Sequence, residues 1–367
     1  MTLLTADDDT AIVSAAAPAG GVQIAGWGAA VPQRRVTNHD LAGYLDTSHD
    51  WIVERSGIHE RRWAGRGEST RTLALAAARA ALDRAGVDPP DVDLVVVATS
   101  TPDRPMPATA ASVAADLGAK AGAFDVNAAC SGFVYALTAA SGLVTTGVAR
   151  TALVVGADVM TSIVDPDDRA TAVLFGDGAG GLVLTGDPDP DPAGTGPGSR
   201  PAVPGLVASD LISDPAGLEL LVVPAGGSDR PASAETVAAG DHFLRMDGRE
   251  VFRRAVRAVA ASIGRTLTRA GCTADDVALF VPHQANARIV DAVLSRTGLA
   301  AERTSSTIDR FGNTSAGSIP IALAEAADTG SVADGDLVLM CGFGAGLTVG
   351  TALWRWGTPT PASRGSR

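Results

Sequence analysis

The sequence predicts an α/β protein made of two similar halves, and three observations carry that prediction. Apolar strand-like runs alternate with helix-patterned segments along nearly the whole chain. A helical run ending Arg84-Ala85-Gly86, then an Asp-rich turn and the strand Leu94–Ala98, recurs as Arg269-Ala270-Gly271, Asp275-Asp276 and Val277–Val281, at an offset of 185 (269 − 84). Between the copies, Asp187-Pro188-Asp189-Pro190-Asp191-Pro192 opens a Gly/Pro-rich stretch that neither a helix interior nor a central strand can hold.

Taken in order, residues 1–20 read as a loose acidic extension. Residues 21–186 form the first half, with a helix from about Arg71 that Gly86 terminates. Phe175-Gly-Asp-Gly-Ala-Gly180 then leads into a strand Gly181–Leu184. Residues 126–149 carry no charge, and their length would allow a membrane span. Asn127, Ser131, Thr138, Ser141, Thr145 and Thr146, with no basic flank at its start, make a helix buried on all sides the better reading. Residues 187–204 are a linker or insertion, 205–357 the second half, and 358–367 a polar tail. In the second half a helix runs from about Arg249, and Phe343-Gly-Ala-Gly346, repeating the Phe175 segment of the first half, leads into a strand Leu347–Leu353. With 46% hydrophobic residues but only 4% aromatic, the 367-residue chain suits close packing of helices and strands around a shared core.

A formal charge of -12 excludes nucleic acid as the main partner, and any anionic ligand must be met by a local basic patch. The three cysteines, Cys130, Cys272 and Cys341, are widely spaced without a CxxC pair. That pattern fits a reducing, cytoplasmic setting and argues against disulfides or a zinc site. Asp7-Asp8-Asp9 and the lack of a basic opening argue against a signal peptide.

Three segments could carry chemistry. Cys130 lies in Asp125-Val-Asn-Ala-Ala-Cys-Ser-Gly-Phe133, a strand–turn–helix position where free N–H groups and the helix dipole favour a thiolate. A small buried cysteine is the bland alternative, and position alone does not separate the two. His283, in Val281-Pro-His-Gln-Ala-Asn286, follows the repeated strand of the second half and is a base candidate or a structural histidine. Asn313, in Gly312-Asn-Thr-Ser-Ala-Gly317, lies between an extended segment and the apolar helix Ile319–Ala327. Its offset from Cys130 is 183 (313 − 130), so the duplication places Cys130 and Asn313 on matching turns that face a common centre. A helix cap is the plain alternative for Asn313.

Together these segments resemble the ketoacyl-acyl carrier protein synthase III family, from about Val22 to Trp356. Asn-Ala-Ala-Cys130-Ser-Gly-Phe, Val-Pro-His283-Gln-Ala-Asn, Phe-Gly-Asn313-Thr-Ser-Ala and Phe-Gly-Ala345-Gly-Leu-Thr occur in its order and spacing. The resemblance implies the duplicated, five-layered thiolase fold and a triad of Cys130, His283 and Asn313. It also implies backbone oxyanion donors at Cys130 and Ala345, a homodimer, and no metal or redox cofactor. The implied reaction loads an acyl group from coenzyme A onto Cys130 and condenses it with malonyl-carrier protein, initiating fatty acid or polyketide synthesis. The alternative acceptor is an alcohol or amine, without decarboxylation. Binding roles implied the same way are coenzyme A contacts by Trp51, Arg55 and Arg169, Asn286 at the substrate, and Met106 lining a partner's acyl tunnel. Arg249, Arg253 and Arg257, spaced four apart on one helix, and Arg288 are candidates for docking an acidic carrier protein, although such a stripe is usually a solvated face. Asp247 and Glu250 read as a capping box for that helix. Cys341 resembles the second cysteine of a biosynthetic thiolase, a rival reading that Asn313 argues against. Val349 stands where the family commonly has Trp.

Overall fold

A computed structural model describes residues 21–186 and 203–358; the 1–20 extension, most of the 187–204 linker and the tail from 359 lie outside the described residues. The first half runs β1 (Val22–Ala30), β2 (Arg34–Thr37), α1 (Asn38–Ala42), α2 (His49–Ser56), β3 (Glu60–Trp63), α3 (Thr70–Ala85), β4 (Leu94–Ala98), α4 (Thr109–Leu117), β5 (Gly122–Val126), α5 (Gly132–Thr145), β6 (Thr151–Val159), α6 (Arg169–Ala172) and β7 (Asp177–Gly186). The second runs β8 (Gly205–Ser213), β9 (Leu221–Val222), α7 (Ala234–Ala238), β10 (Arg245–Met246), α8 (Gly248–Ala270), β11 (Val277–Pro282), α9 (Ala287–Thr297), α10 (Ile308–Phe311), α11 (Ser318–Asp328), β12 (Leu337–Gly344) and β13 (Thr348–Arg355).

The duplication is visible in the sheets. The first has strand order β1-β7-β6-β4-β5 and the second β8-β13-β12-β11. In each, the strand after the long outer helix (β4, β11) pairs parallel with the next member (β6, β12), and the rest is antiparallel. The one further parallel pair is β4 with β5. The counterpart of β5 in the second half is reduced to one parallel bridge, Phe280 to Thr304. Helices α3 and α4 cover the outer face of the first sheet, and α8 and α9 that of the second. Helices α5 and α11 lie between the sheets in one shared core. The architecture is the expected five layers, αβαβα.

Local chemistry explains the elements. Every residue of β4 and β6 is buried, as strands covered on both faces require. The absence of charge in α5 has the same cause, since Phe133, Val134 and Leu137 are wholly buried between the sheets. Each such side chain contributes about 1.5–3 kcal/mol. Ser69 caps α3, and Gly86 and Gly271 end α3 and α8 in left-handed turns with φ 64° and 65°.

Two glycines decide how the halves meet. A methyl on Gly156 of β6 would lie 2.1 Å from the carbonyl oxygen of Ala316. One on Gly342 of β12 would lie 3.0 Å from Ser131 Cα and 3.1 Å from Cys130 O. These positions are 186 apart (342 − 156). Each half therefore uses a glycine in its central strand to seat the other half's turn directly on the sheet.

Three expectations need correction. The strand expected at Gly181 begins at Asp177, because Gly178 and Gly180 lie tight against α11 and belong to the pairing. The two Phe-Gly segments are not equivalent: Phe175-Gly176 enters β7, whereas Phe343-Gly344 ends β12. The segment before Asn313 is the short helix α10 rather than extended chain.

Candidate functional site

Cys130 sits in a single 3₁₀ turn, Ala129–Ser131, between β5 and α5. Its matching turn is Ser315–Gly317, ahead of α11. Ala129 and Ser315 both adopt φ 48°, a left-handed conformation rare for residues other than glycine. The true offset is thus 186 (315 − 129), so Cys130 corresponds to Ala316, and Asn313 to Asn127 rather than to Cys130. The turns match as expected; the residues do not. Both asparagines do the same local work: Asn127 Oδ1 accepts the N–H of Ala129 at 3.2 Å, and Asn313 Oδ1 that of Ser315 at 2.9 Å. Asn313 is therefore a turn former, not the cap of α11, and its NH₂ remains as a donor.

Asn313 is fastened further by a parallel bridge to Phe175: its N–H donates to Leu174 O at 2.9 Å, and Gly176 N–H donates to its carbonyl at 3.0 Å. The turn is also held by the wholly buried Asp158, whose Oδ2 accepts the N–H of Ala316 at 3.0 Å. Its Oδ1 accepts from Thr99, Ser100 and Thr101.

His283 follows β11, as the sequence predicts, and is buried. Its Nδ1 lies 2.6 Å from Ser318 Oγ, which accepts the N–H of Gln284 at 3.3 Å. Ser318 then has its own proton to give, and where Nδ1 accepts it the ring proton lies on Nε2. Burial pushes His283 down to about 3, so the imidazole is neutral. A neutral ring with Nε2–H is a hydrogen-bond donor.

Cys130, His283 and Asn313 line one cavity of about 140 Å³, with Phe175, Val251, Phe252, Asn286 and Phe343. Cys130 also borders a second cavity of about 460 Å³, lined by Met160, Ile163, Leu221, Val222, Val223 and Leu244. Ala345 borders that second cavity, and a methyl on adjoining Gly344 would lie 2.5 Å from Cys130 N. The backbone of Gly344 and Ala345 thus runs beside the N–H of Cys130, where an oxyanion on an acyl group attached to Sγ would sit. The thiol is 7% exposed, and burial pushes it up to about 12, against a hydrogen bond from Ser315 and with the Asp158 charge adding to the rise. The expectation of a thiolate from helix position alone is corrected here, because burial outweighs it.

The coenzyme A candidates come together on the cap formed by α1, α2, α6 and the antiparallel pair β2–β3. Trp51 is flanked by Arg55 at 4.7 Å and Arg169 at 5.1 Å from its ring centroid. Asn286 borders the cavity, but both ends of its amide are engaged: Nδ2 donates to Arg55 O and Oδ1 accepts from Arg288 N–H, tying α9 to α2. The first turn of α8 borders the mouth through Gly248, Val251 and Phe252. Arg249 and Arg257 are exposed there without a carboxylate partner among the described residues, whereas Arg253 is bidentate to Glu250. Asp247 caps α8, but Glu250 faces Arg253 and Arg254 instead of closing the expected box. Met106 is 84% exposed and lines neither cavity. Cys341 and Val349 are core residues. Among the described residues no cluster of three His, Cys, Asp or Glu is arranged to hold a metal ion, and no helix is long and apolar enough to cross a membrane.

Sequence reasoning missed Ser315, Ser318, Asp158 and the aliphatic wall of the larger cavity. The first two could have been found by aligning Asn127-Ala-Ala-Cys-Ser-Gly on Asn313-Thr-Ser-Ala-Gly-Ser. The wall comes from segments 160–163 and 218–223, which carry no motif.

Comparison with known proteins is consistent along the chain. Residues 267–356 match the C-terminal domain of the family described as 3-oxoacyl-[acyl-carrier-protein] synthase III, and 124–195 match the family's other domain. A beta-ketoacyl-[acyl-carrier-protein] synthase III of Roseiflexus sp. (strain RS-1) is 47% identical over 90% of this chain and 97% of the relative. The crystal structure of 3-oxoacyl-[acyl-carrier-protein] synthase III from Aquifex aeolicus VF5 superposes with a TM-score of 0.81 at 40% identity, covering 92% of this chain and 100% of that one. The priming beta-ketosynthase of the R1128 polyketide pathway gives 0.83 at 36%, covering 94% and 99%.

Proposed function

The chain belongs to the 3-oxoacyl-[acyl-carrier-protein] synthase III family, and we propose that Cys130 carries the acyl group while His283 and Asn313 activate the malonyl thioester. The enzyme is a condensing transferase that initiates fatty acid or polyketide synthesis by Claisen condensation. Acyl loading exchanges one thioester for another: the acyl carbon bonds to Cys130 Sγ, its bond to the coenzyme A sulfur breaks, and the thiol proton ends on the departing sulfur. Backbone N–H groups of Cys130 and Ala345 stabilise the tetrahedral oxygen. Malonyl-carrier protein then loses CO₂, and the resulting carbanion attacks the acyl carbon, returning Cys130.

One observation carries this reading. Neutral His283, its Nδ1 held by Ser318 and its Nε2 left as the donor on this reading, and Asn313 with its oxygen engaged and its NH₂ free, both border the cavity beside Cys130. Two neutral donors suit an enolate oxygen, and they do so without a resident metal or cofactor. Simple transfer to an alcohol or amine has no use for the second donor. Asn313→Ala should still take an acyl group on Cys130, read by intact mass, while CO₂ release from malonyl-carrier protein falls by about 10²–10³. Equal loss in both steps would refute the assignment.

Trp51, Arg55 and Arg169 are the proposed nucleotide contacts, and Arg249, Arg253 and Arg257 of α8 with Arg288 of α9 the proposed carrier-protein dock. A homodimer is supported by the edge strand β5, which has no strand on its outer side among the described residues, and by exposed Met106. Sedimentation should give twice the chain mass; a monomer would refute it. Three free cysteines support a cytoplasmic setting.

A further inference from the structure

Ser315 occupies a position where its backbone gives no reason for a serine. The residue has φ 48°, which glycine, asparagine or aspartate adopts most readily. The first half shows that a plain alanine suffices, since Ala129 holds the same conformation in the matching turn. The hydroxyl is therefore not needed to build the turn. Its hydrogen-bond partner among the described residues is Cys130 Sγ, to which it donates at 3.3 Å across the interface between the halves.

We propose that Ser315 is a further catalytic residue, whose hydroxyl stabilises negative charge on the Cys130 sulfur as the thiol yields its proton during acyl loading. The inference rests on the reading of Cys130 as acyl carrier. It has an electrostatic rationale: Cys130 is buried, and Asp158 is the nearby carboxylate that disfavours its anion. The tool available against both is a donor aimed at the sulfur, and a hydrogen bond to a charged group is stronger than one to a neutral group. While the sulfur carries the acyl group it bears no charge, so the donor has no part in decarboxylation; it acts again only when the condensation expels Cys130 as a thiolate. Ser315 thus serves loading, and Asn313, two residues away on the same turn, serves decarboxylation.

The test separates those two steps. Ser315→Ala keeps a residue type that the matching turn tolerates. It should slow iodoacetamide alkylation of Cys130 about tenfold at every pH from about 7 to 9, equivalent to raising the thiol by about one pH unit. Loading from an acyl-CoA should slow in proportion, while CO₂ release by the already loaded variant stays at the wild-type rate. Should that variant not fold, Ser315→Gly accepts the left-handed backbone of this position without strain and carries the same readouts. Unchanged alkylation in a folded variant overturns the proposal, as does an equal loss in loading and CO₂ release, which marks a merely structural serine. If the wild type takes no acyl group on Cys130, the functional reading fails instead, and the alkylation ratio still decides the role of Ser315.

Discussion

Gly156→Ala tests whether the site depends on one half's turn resting on the other half's sheet. The added methyl would lie 2.1 Å from Ala316 O, 2.9 Å from Ala316 C and 3.2 Å from Phe133 Cδ2. A normal contact needs about 3.5 Å, so something must retreat by about 1.4 Å. Strand β6 cannot, because it pairs on both sides with β4 and β7 and is buried on both faces. The turn Ser315–Gly317 must yield, against its hydrogen bond to Asp158, and Asn313 moves with it. Overpacking of this kind costs about 1–3 kcal/mol of stability. A displacement near 1 Å at a positioned donor costs about 10² in rate. Thermal unfolding and single-turnover CO₂ release should show both losses, with acyl loading less affected than CO₂ release. Gly342→Ala presses instead on Ser131 and Cys130, so it should reverse that order. Gly142→Ala is the control, an exposed helix position with open space around it. Wild-type melting and CO₂ release in Gly156→Ala would refute the packing argument.

Two further outcomes follow from charge. Because burial holds His283 near 3 against an ordinary 6.5, CO₂ release from loaded enzyme should show no acid limb near 6.5; such a limb would refute the neutral-donor role. The unfolded chain takes up that proton first, so this histidine makes stability fall as pH drops from 6.5 toward 3, which denaturant titrations can read. Replacing Arg249 and Arg257 together by Glu should raise KM for malonyl-carrier protein by about tenfold or more, with a weaker effect on loading from acyl-CoA. An unchanged KM would remove α8 as the dock.

Much of this was legible in the sequence because it is local. Gly86 and Gly271 announced the helix ends, the valines of β4 a doubly covered strand, and the spacing of Arg249, Arg253 and Arg257 an exposed face. That Cys130, His283 and Asn313 share one cavity was legible through motif order, which also grouped Trp51, Arg55 and Arg169. What escaped depends on contacts across the halves. No local pattern reports that a methyl on Gly156 would strike Ala316, or that Ser315 reaches Cys130 from the other half. The thiol's protonation was misread for the same reason: a helix entry is visible in sequence, whereas burial and Asp158 arrive from elsewhere in the fold. Even the offset depended on which pair was aligned, since Cys130 and Asn313 are both conspicuous while the quiet Asn127 is the true match.

The duplication also explains how one backbone plan yields two different half-sites. Cys130 and Ala316 are equivalent, so their N–H groups face equivalent places on β12 and β6. On β6 that place is Asp158, whose carboxylate accepts the N–H of Ala316. On β12 it is Gly344, at the same offset of 186 (344 − 158), where even a methyl would lie 2.5 Å from Cys130 N. The second half thus fills its own anion site with a built-in carboxylate, which locks the turn bearing Asn313 and Ser315. The first half has only glycine there, and a transient oxyanion can come to the Cys130 N–H. On the proposed reading, one turn is a finished structural device and the other the same device left open for substrate. A side chain at Gly344 would fill the space beside the Cys130 N–H, so on that reading the asymmetry between Asp158 and Gly344 keeps this place open in one half and occupied in the other.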